Sequence, residues 1–423
     1  MTLIVGVWNK NALAFAADSI GSVWHKTFIV NKLFELSDND PIWVAVAWSS
    51  DFMNMQLETI LKEFKKNIVS TNKDTLPEYV DLFFDYLKDS TYINHINYEV
   101  LIREVVLILI WDIKNTVDES IAIWINDPEL LTKTLEEKSG IIAEKVKKLV
   151  WDWLNELLNV LQNHNSQLVG LENIEENIDN ILSVINSQQD ELDNLFCSKG
   201  SSNLKTFIKV AILSLNKDLI FKSHINNSLL IFFGFWKTDF IPRVQAINLY
   251  QKLENSIIYS KAEDIVIDDG FIEPYAQWED VLTSILSIGD ETVYKIKKNL
   301  EKSLQNLDKN SILNKEQIDI VQQAVQETLK TVRVQSHLSL IEAVRFLSKA
   351  ELWKIAESLV GIGSMKKRMN MWYETIWGPI DVAIVTKSDW FIRIKRKYYF
   401  DPSLNYHYFN RLIWKNERSN IPE

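Results

Sequence analysis

Thr2, Asp18 and Lys32 are the residues whose types and spacing could do chemistry together. Threonine is small enough for the initiator methionine to be trimmed, which would leave a free α-amine and a hydroxyl on one residue. A hydroxyl is a poor nucleophile until a base takes its proton, and an α-amine, with a reference pKa of roughly 7.7 to 8.0, is poised near neutrality for that task. Asp18 follows in Ala16-Ala17-Asp18-Ser19 and Lys32 in Asn31-Lys32-Leu33. A buried ammonium beside Thr2 would lower the pKa of hydroxyl and amine alike, and an aspartate would keep the lysine charged and oriented. The chemistry this allows is nucleophilic attack on a carbonyl. Singly, each residue has an ordinary explanation: many chains begin Met-Thr, Asp18 reads as a turn aspartate, and Lys32 as a solvated surface charge.

Short strands must position the three. Between Thr2 and Ser50, the stretches TLIVGVW, ALAFAADS, TFIVNKLFEL and PIWVAVAW are separated by turn-formers such as Asn9-Lys10-Asn11 and Ser37-Asp38-Asn39-Asp40, which predicts a four-stranded β-meander. Asp18 then ends the second strand and Lys32 the third, and antiparallel pairing can bring them together. Asp51 reads as the N-cap of a helix carrying Phe52, Met55, Leu57, Ile60, Leu61 and Phe64 on one face. Pro77 opens another, with Tyr79, Val80, Phe83, Phe84 and Leu87 buried. Residues 92–227 turn to long Leu/Ile/Glu/Asn/Lys stretches of helical period, with a loop at Gln162–Gln167, and are read as a helical insertion packed on itself. Strands return at Leu229–Phe235, Val244–Leu249 and Ile257–Ile267. Helices fill most of Gln277–Met371, and a strand pair, Ile380–Thr386 and Trp390–Lys397, turns at Lys387-Ser388-Asp389.

Composition narrows the function classes. With 47% hydrophobic and 24% charged residues over 423 positions, the chain has ample material for a core. A net charge of −11 argues against wholesale nucleic-acid binding, which needs a positive surface. The lone Cys197 has no disulfide partner and fits a reducing, cytoplasmic setting. Apolar runs such as Val105–Trp111 and Leu229–Trp236 are far shorter than the roughly 20 residues that span a bilayer, and the N-terminus lacks a basic region and apolar core. The histidines (His25, His95, His164, His224, His337, His407) show no metal spacing, so neither metal nor cofactor is expected. The tryptophans Trp111, Trp124, Trp151 and Trp153 read as helix core. The basic clusters Lys366-Lys367-Arg368 and Arg393–Lys397 read as solvated faces.

The segments Thr2-Leu3-Ile4-Val5-Gly6-Val7, Ala16–Ser19 and Asn31-Lys32-Leu33 resemble the signature of proteasome β-type subunits, which are N-terminal-nucleophile hydrolases. Ala47-Trp48-Ser49-Ser50-Asp51 is similar to that family's turn into its first helix, and Gly378–Val385 to its late strand. The chain looks most like uncharacterised bacterial proteasome-like proteins with Asn-Lys-(Ile/Leu)-Phe-x-Leu, an Asp-Phe-Met turn and a late Gly-Pro-Ile-Asp-Val-Ala strand. The resemblance covers about residues 2–90, 228–270 and 340–400. It implies an α+β, four-layer αββα sandwich: a discontinuous hydrolase domain over 2–91 and 228–400, the helical insertion over 92–227, and a C-terminal tail over 401–423. It further implies Thr2 as nucleophile with its amine as base, Lys32 tuning both, Asp18 fixing Lys32, and the Ala47 N–H as oxyanion donor. Where the family has an element supporting the threonine amine, this chain reads Tyr373-Glu374-Thr375-Ile376-Trp377-Gly378, and Glu374 and Thr375 are the nearest substitutes, one residue out of step. Trp48, Trp236, Trp377 and Trp390 stand where family glycines would, and rings there could narrow a cleft.

The resulting expectation is a threonine peptidase cutting peptide or protein substrates after loss of Met1, in the cytoplasm, as a ring of identical subunits. Two alternatives stand beside it. One is a catalytically silent scaffold that binds partners through the helical insertion; the other is an amidase of small amides, since one fold serves several substrates.

Overall fold

The computed structural model describes residues 2–23, 26–37, 41–68, 75–127, 130, 132–171, 178–197, 202–235, 241–254, 256–266, 269–276, 279–286, 289–309, 315–369, 378–396, 404–407 and 410. It mixes helices with antiparallel strand pairs. The strands are β1 Leu3–Asn9, β2 Ala12–Ala17, β3 Ile20–Val23, β4 Lys26–Ile29, β5 Leu33–Glu35, β6 Ile42–Trp48, β7 Asp51–Phe52, β8 Met55–Gln56, β9 Ser228–Gly234, β10 Arg243–Leu253, β11 Ser256–Val266, β12 Phe271–Ala276, β13 Asp381–Thr386 and β14 Trp390–Lys395. Two compact units form. One comprises Met1–Ala47, Phe233–Arg243 and Val266–Glu423; the other comprises Trp48–Phe232 and Val244–Ile265. Among the described residues, no helix is long and apolar enough to cross a membrane.

In the first unit β12, β1, β2, β13 and β14 lie side by side in that order. Gly6 of β1 pairs with Phe15 of β2, and Ala14 of β2 with Ile384 of β13, all antiparallel. Strand alternation sends Leu3, Val5, Val7, Ala12, Ala14, Ala16, Val382 and Ile384 to one face. There they meet Val281, Ile285, Val344, Leu352, Ala356 and Val360 of the helices Glu279–Leu286, Lys315–Arg345 and Lys349–Met369. The opposite face carries Trp8 and Phe15. Trp8 stacks on Phe15 and Phe271, and Phe15 stacks on Phe233 with ring centroids 3.8 Å apart. Gly6 has no side chain because the Trp8 ring occupies that space. Cover on both faces explains why β1 as far as Trp8 and all of β2 carry no polar side chain.

Several expectations are corrected here. The early strands are not a simple meander. β2 lies between β1 and β13, and the stretch TFIVNKLFEL splits into β4 and β5 with Lys32 in the gap. β3 and β4 form a hairpin of their own, with Ile20 opposite Ile29, because Asp18 and Ser19 turn their side chains to hydrogen bonds that end β2. β12 has no counterpart among the expected strands. Its Pro274 argues against a central strand, and the structure resolves this by placing β12 at the sheet edge, where a missing N–H is tolerated.

The second unit begins with the β7–β8 hairpin, in which Met53 and Asn54 both take positive φ, 50° and 65°. That two-residue turn delays the first helix to Leu57–Asn67, so Asp51 is not its N-cap and Phe52 and Met55 belong to the hairpin. Helix Leu76–Asp89 follows the expected pattern, with Pro77 in its first turn and Tyr79, Val80, Phe83, Phe84 and Leu87 buried. The helical stretch contains Tyr98–Trp124, Leu135–Asn163, Ile178–Ser187, Gln189–Leu195, Ser202–Asn216 and Asp218–His224. Its core, including Val105, Leu109, Val150, Leu154, Phe207 and Val210, packs on itself and on Tyr250, Leu253 and Ile258 of β10 and β11. Trp124 and Trp153 lie against that core, whereas Trp111 and Trp151 are exposed, contrary to expectation. Both exposed rings fall on the outer side of helices whose inner stripes are aliphatic.

Candidate active site

Asp18 is the hub of the first unit's buried polar cluster. It follows β2, and its carboxylate collects three donors. Oδ1 accepts the Leu3 N–H at 2.7 Å and the Lys32 ammonium at 2.7 Å, and Oδ2 accepts the Ile20 N–H at 3.2 Å. Lys32 also donates to the Ile20 carbonyl at 2.8 Å. Lys32 and Asp18 expose only 3% and 1% of their side chains. A carboxylate so enclosed is tolerable because opposite charge and N–H donors replace its water shell.

The hairpin makes this meeting possible. It carries the chain out from Ile20 and back to Ile29, and Val30 N–H then bonds the Ser19 carbonyl at 2.9 Å. Asp18 and Lys32 therefore flank the hairpin's base rather than sitting on adjacent paired strands. Lys32 is further held by its own carbonyl, which accepts the Val46 N–H at 2.9 Å, as β5 and β6 come into register at Leu33 and Ala45.

Thr2 is buried at 4% exposure, directly before β1. The next residue, Leu3, is fixed in both directions, because its N–H goes to the Asp18 carboxylate and its carbonyl accepts the Asp18 N–H at 3.1 Å. The Lys32 ammonium thus shares one oxygen with the amide that starts one bond after Thr2. Ala47 is buried near the end of β6, one residue beyond the Val46–Lys32 bond, and Trp48 follows with φ of 63° and a half-exposed ring. Trp390 is likewise exposed at positive φ. Glu374 and Thr375, together with Trp236 and Trp377, lie outside the described residues.

Sequence reasoning missed Ser19 and what it holds. Ser19 Oγ donates to the Pro379 carbonyl, and Gly378, at φ 94°, brings its backbone against the Ile20 side chain. Asp381, buried at the start of β13, pairs in register with Ala17, next to Asp18. The signal was present in two polar residues, Asp18-Ser19, closing an apolar strand, and an acid inside the apolar Ile380–Val385. Neither names its partner.

Other titratable clusters lie in the second unit. Asp218 is fully buried and accepts from His164 (2.6 Å), Ser166 (2.7 Å) and Lys222 (2.7 Å). Burial alone would raise its carboxyl, but the bonds from Lys222, Ser166 and His164 outweigh that and bring it down to about 2. His224 bridges Asp112 and Ser223. Among the described residues no group of three or more His, Cys, Asp or Glu side chains comes together to hold a metal ion.

No family model matches the chain, and no curated protein matches it. Among solved structures it is similar to Anbu (ancestral beta-subunit) from Yersinia bercovieri, at TM-score 0.30 and 9% identity over 100% of this chain and 98% of that one. The helical assembly of the Anbu complex from Pseudomonas aeruginosa gives 0.27 and 9% over 100% and 98%. The Anbu (Gly-1) mutant from Hyphomicrobium sp. strain MC1 gives 0.25 and 11% over 100% and 99%. At TM-scores this low the similarity says nothing about what this chain does. The resemblance to proteasome β-type subunits and their bacterial relatives is therefore corrected: no family model and no curated protein bears it out, and the similarities to solved structures are too low to carry it.

Proposed function

We propose that the chain hydrolyses amide bonds of peptides or proteins with Thr2 as an N-terminal nucleophile, once Met1 is removed. The observation that carries this reading is the buried Lys32–Asp18 pair bound to the amide of Leu3, one bond from Thr2. A fixed cation at the chain's start favours the deprotonated hydroxyl and the neutral amine. The α-amine takes the hydroxyl proton, directly or through a water, as Thr2 Oγ1 attacks the scissile carbonyl. The developing oxyanion is met by the Ala47 N–H. The proton passes to the leaving amine, and water then attacks the acyl-threonine ester, releasing the acid and restoring the hydroxyl. Asp18 keeps Lys32 in place, and Glu374 and Thr375 are assigned to supporting the amine.

The finer architecture belongs to the same reading. An αββα sandwich is supported by the first unit's sheet, which carries helices on one face and the Phe15–Phe233 and Trp43–Phe391 stacks on the other. Residues 92–227 are then an insertion within a domain of residues 2–91 and 228–400. Assembly of identical subunits is part of the reading, and light scattering tests it, with a mass above 49.3 kDa expected.

Intact-mass measurement followed by incubation with a β-lactone probe tests the chemistry. The expected result is a chain lacking Met1 that is labelled once, at Thr2, and is unlabelled as Thr2→Ala. A second reading, the silent scaffold, is favoured by one observation: Thr2 is only 4% exposed. It requires that the trimmed protein take up no probe.

A further inference from the structure

We infer that Gly363 is a positioning residue for the nucleophile and acts through Leu3; the inference rests on the proposed role of Thr2. Leu3 is clamped at its backbone by two hydrogen bonds with Asp18. Its side chain, fully buried, is seated on the helix Lys349–Met369 at Gly363. A methyl group at position 363 would fall inside contact distance of Leu3 Cδ2 and lie 3.4 Å from Val281 Cγ2.

The same helix supplies its own control. Gly361, two residues earlier, has nothing within 4 Å of the corresponding position. A glycine inside a helix is weaker than alanine in either place. Only at 363 does the bare backbone do something alanine could not, which is to let Leu3 lie against the helix while its amide reaches Asp18. A side chain there pushes at the end of the flexible Leu3 side chain, not at backbone. Because Leu3 is wholly buried, its side chain has little room to turn aside, and part of the displacement passes to its backbone and to Thr2, one peptide bond away. Nucleophilic attack tolerates little of this, since a displacement of about 1 Å can cost on the order of 100-fold in rate.

The test uses the full chain with Met1 removed, a β-lactone probe, and thermal midpoints alongside labelling rates. G361A is expected to label at the wild-type rate. G363A is expected to label about 10- to 100-fold more slowly at saturating probe, with its half-saturating concentration and thermal midpoint little changed. G363A/L3V, which moves the lost methyl from one side of the contact to the other, is expected to recover the wild-type rate, because volume-conserving swaps are tolerated best. Labelling of G363A at the wild-type rate overturns the inference, as does a G363A/L3V protein as slow as G363A. Should G363A fail to fold, the double variant decides: folded and fast supports the contact, folded and slow overturns it. An unlabelled wild type overturns the role of Thr2 and this inference together, whereas a labelled wild type with an unaffected G363A overturns only the inference.

Discussion

The ammonium of Lys32 stands 2.7 Å from Oδ1 of Asp18, with both side chains almost wholly withdrawn from solvent. The pair is costly to desolvate, so its net contribution to stability is small, yet removing one partner leaves the other charged and stranded. Each also holds backbone: Asp18 binds the amides of Leu3 and Ile20, and Lys32 binds the Ile20 carbonyl. The charge pair and the path of the chain's first residues are therefore one structure.

Asp18→Asn is expected to destabilise the protein by about 3 kcal/mol or more, because it leaves a buried ammonium without its counter-charge. Lys32→Met should lose a similar amount, and the double variant clearly less than the two losses combined. Urea denaturation of the four proteins checks this. Simple additivity would show that the two charges are not coupled.

Ser19→Ala removes the only side-chain oxygen of that residue, and with it the bond to the Pro379 carbonyl. A loss of about 1 kcal/mol is expected. Slower labelling of Thr2 should accompany it, because Ser19 adjoins Asp18. The measurement is denaturant midpoint and labelling rate on the same sample.

Acid sensitivity is expected from Asp218. Its folded-state pKa of about 2 lies below the ordinary 3.8, so its carboxylate contributes stability that is fully present above pH 4. That contribution, of about 2 kcal/mol, fades as the pH falls from about 4 to 2. Asp218→Asn should be less stable at neutral pH and flatter across that acid range, as read by thermal melts at stepped pH.

Two glycine substitutions should move stability in opposite directions. A β-carbon at Gly234 would collide with the Pro41 carbonyl oxygen, a backbone atom that cannot rotate away. Gly234→Ala is therefore expected to cost roughly 2 kcal/mol or more. Gly140 lies in the helix Leu135–Asn163 with open space around it, and Gly140→Ala should gain up to about 1 kcal/mol. Calorimetry separates the two.

How far the fold was legible follows from what local patterns report. The buried face of helix Leu76–Asp89 could be read because Pro77 and an unbroken 3.6-residue apolar stripe act within a few turns. The start of the first helix could not, because Met53 and Asn54 adopt left-handed conformations that make a hairpin where helical spacing alone suggests continuity. β12 stayed hidden because Pro274 is acceptable only at a sheet edge, and edge position is a property of the assembled sheet. The exposed Trp111 and Trp151 show the same limit, since an apolar side chain does not declare which side of its helix meets the core.

By itself the sequence determined many of the buried strands and amphipathic helices, and it singled out Thr2, Asp18 and Lys32 as residues whose types could do acyl chemistry together. Periodicity and residue type suffice for that, because burial and ionisation are properties of single side chains. Only the tertiary structure decided that Lys32 reaches Asp18 around the base of the Ile20–Ile29 hairpin. The same holds for Pro379 meeting Ser19 across 360 positions, and for Leu3 resting on Gly363 rather than Gly361. Those meetings depend on where turns fall and how closely backbones approach, and such distances are set by the whole packed core at once.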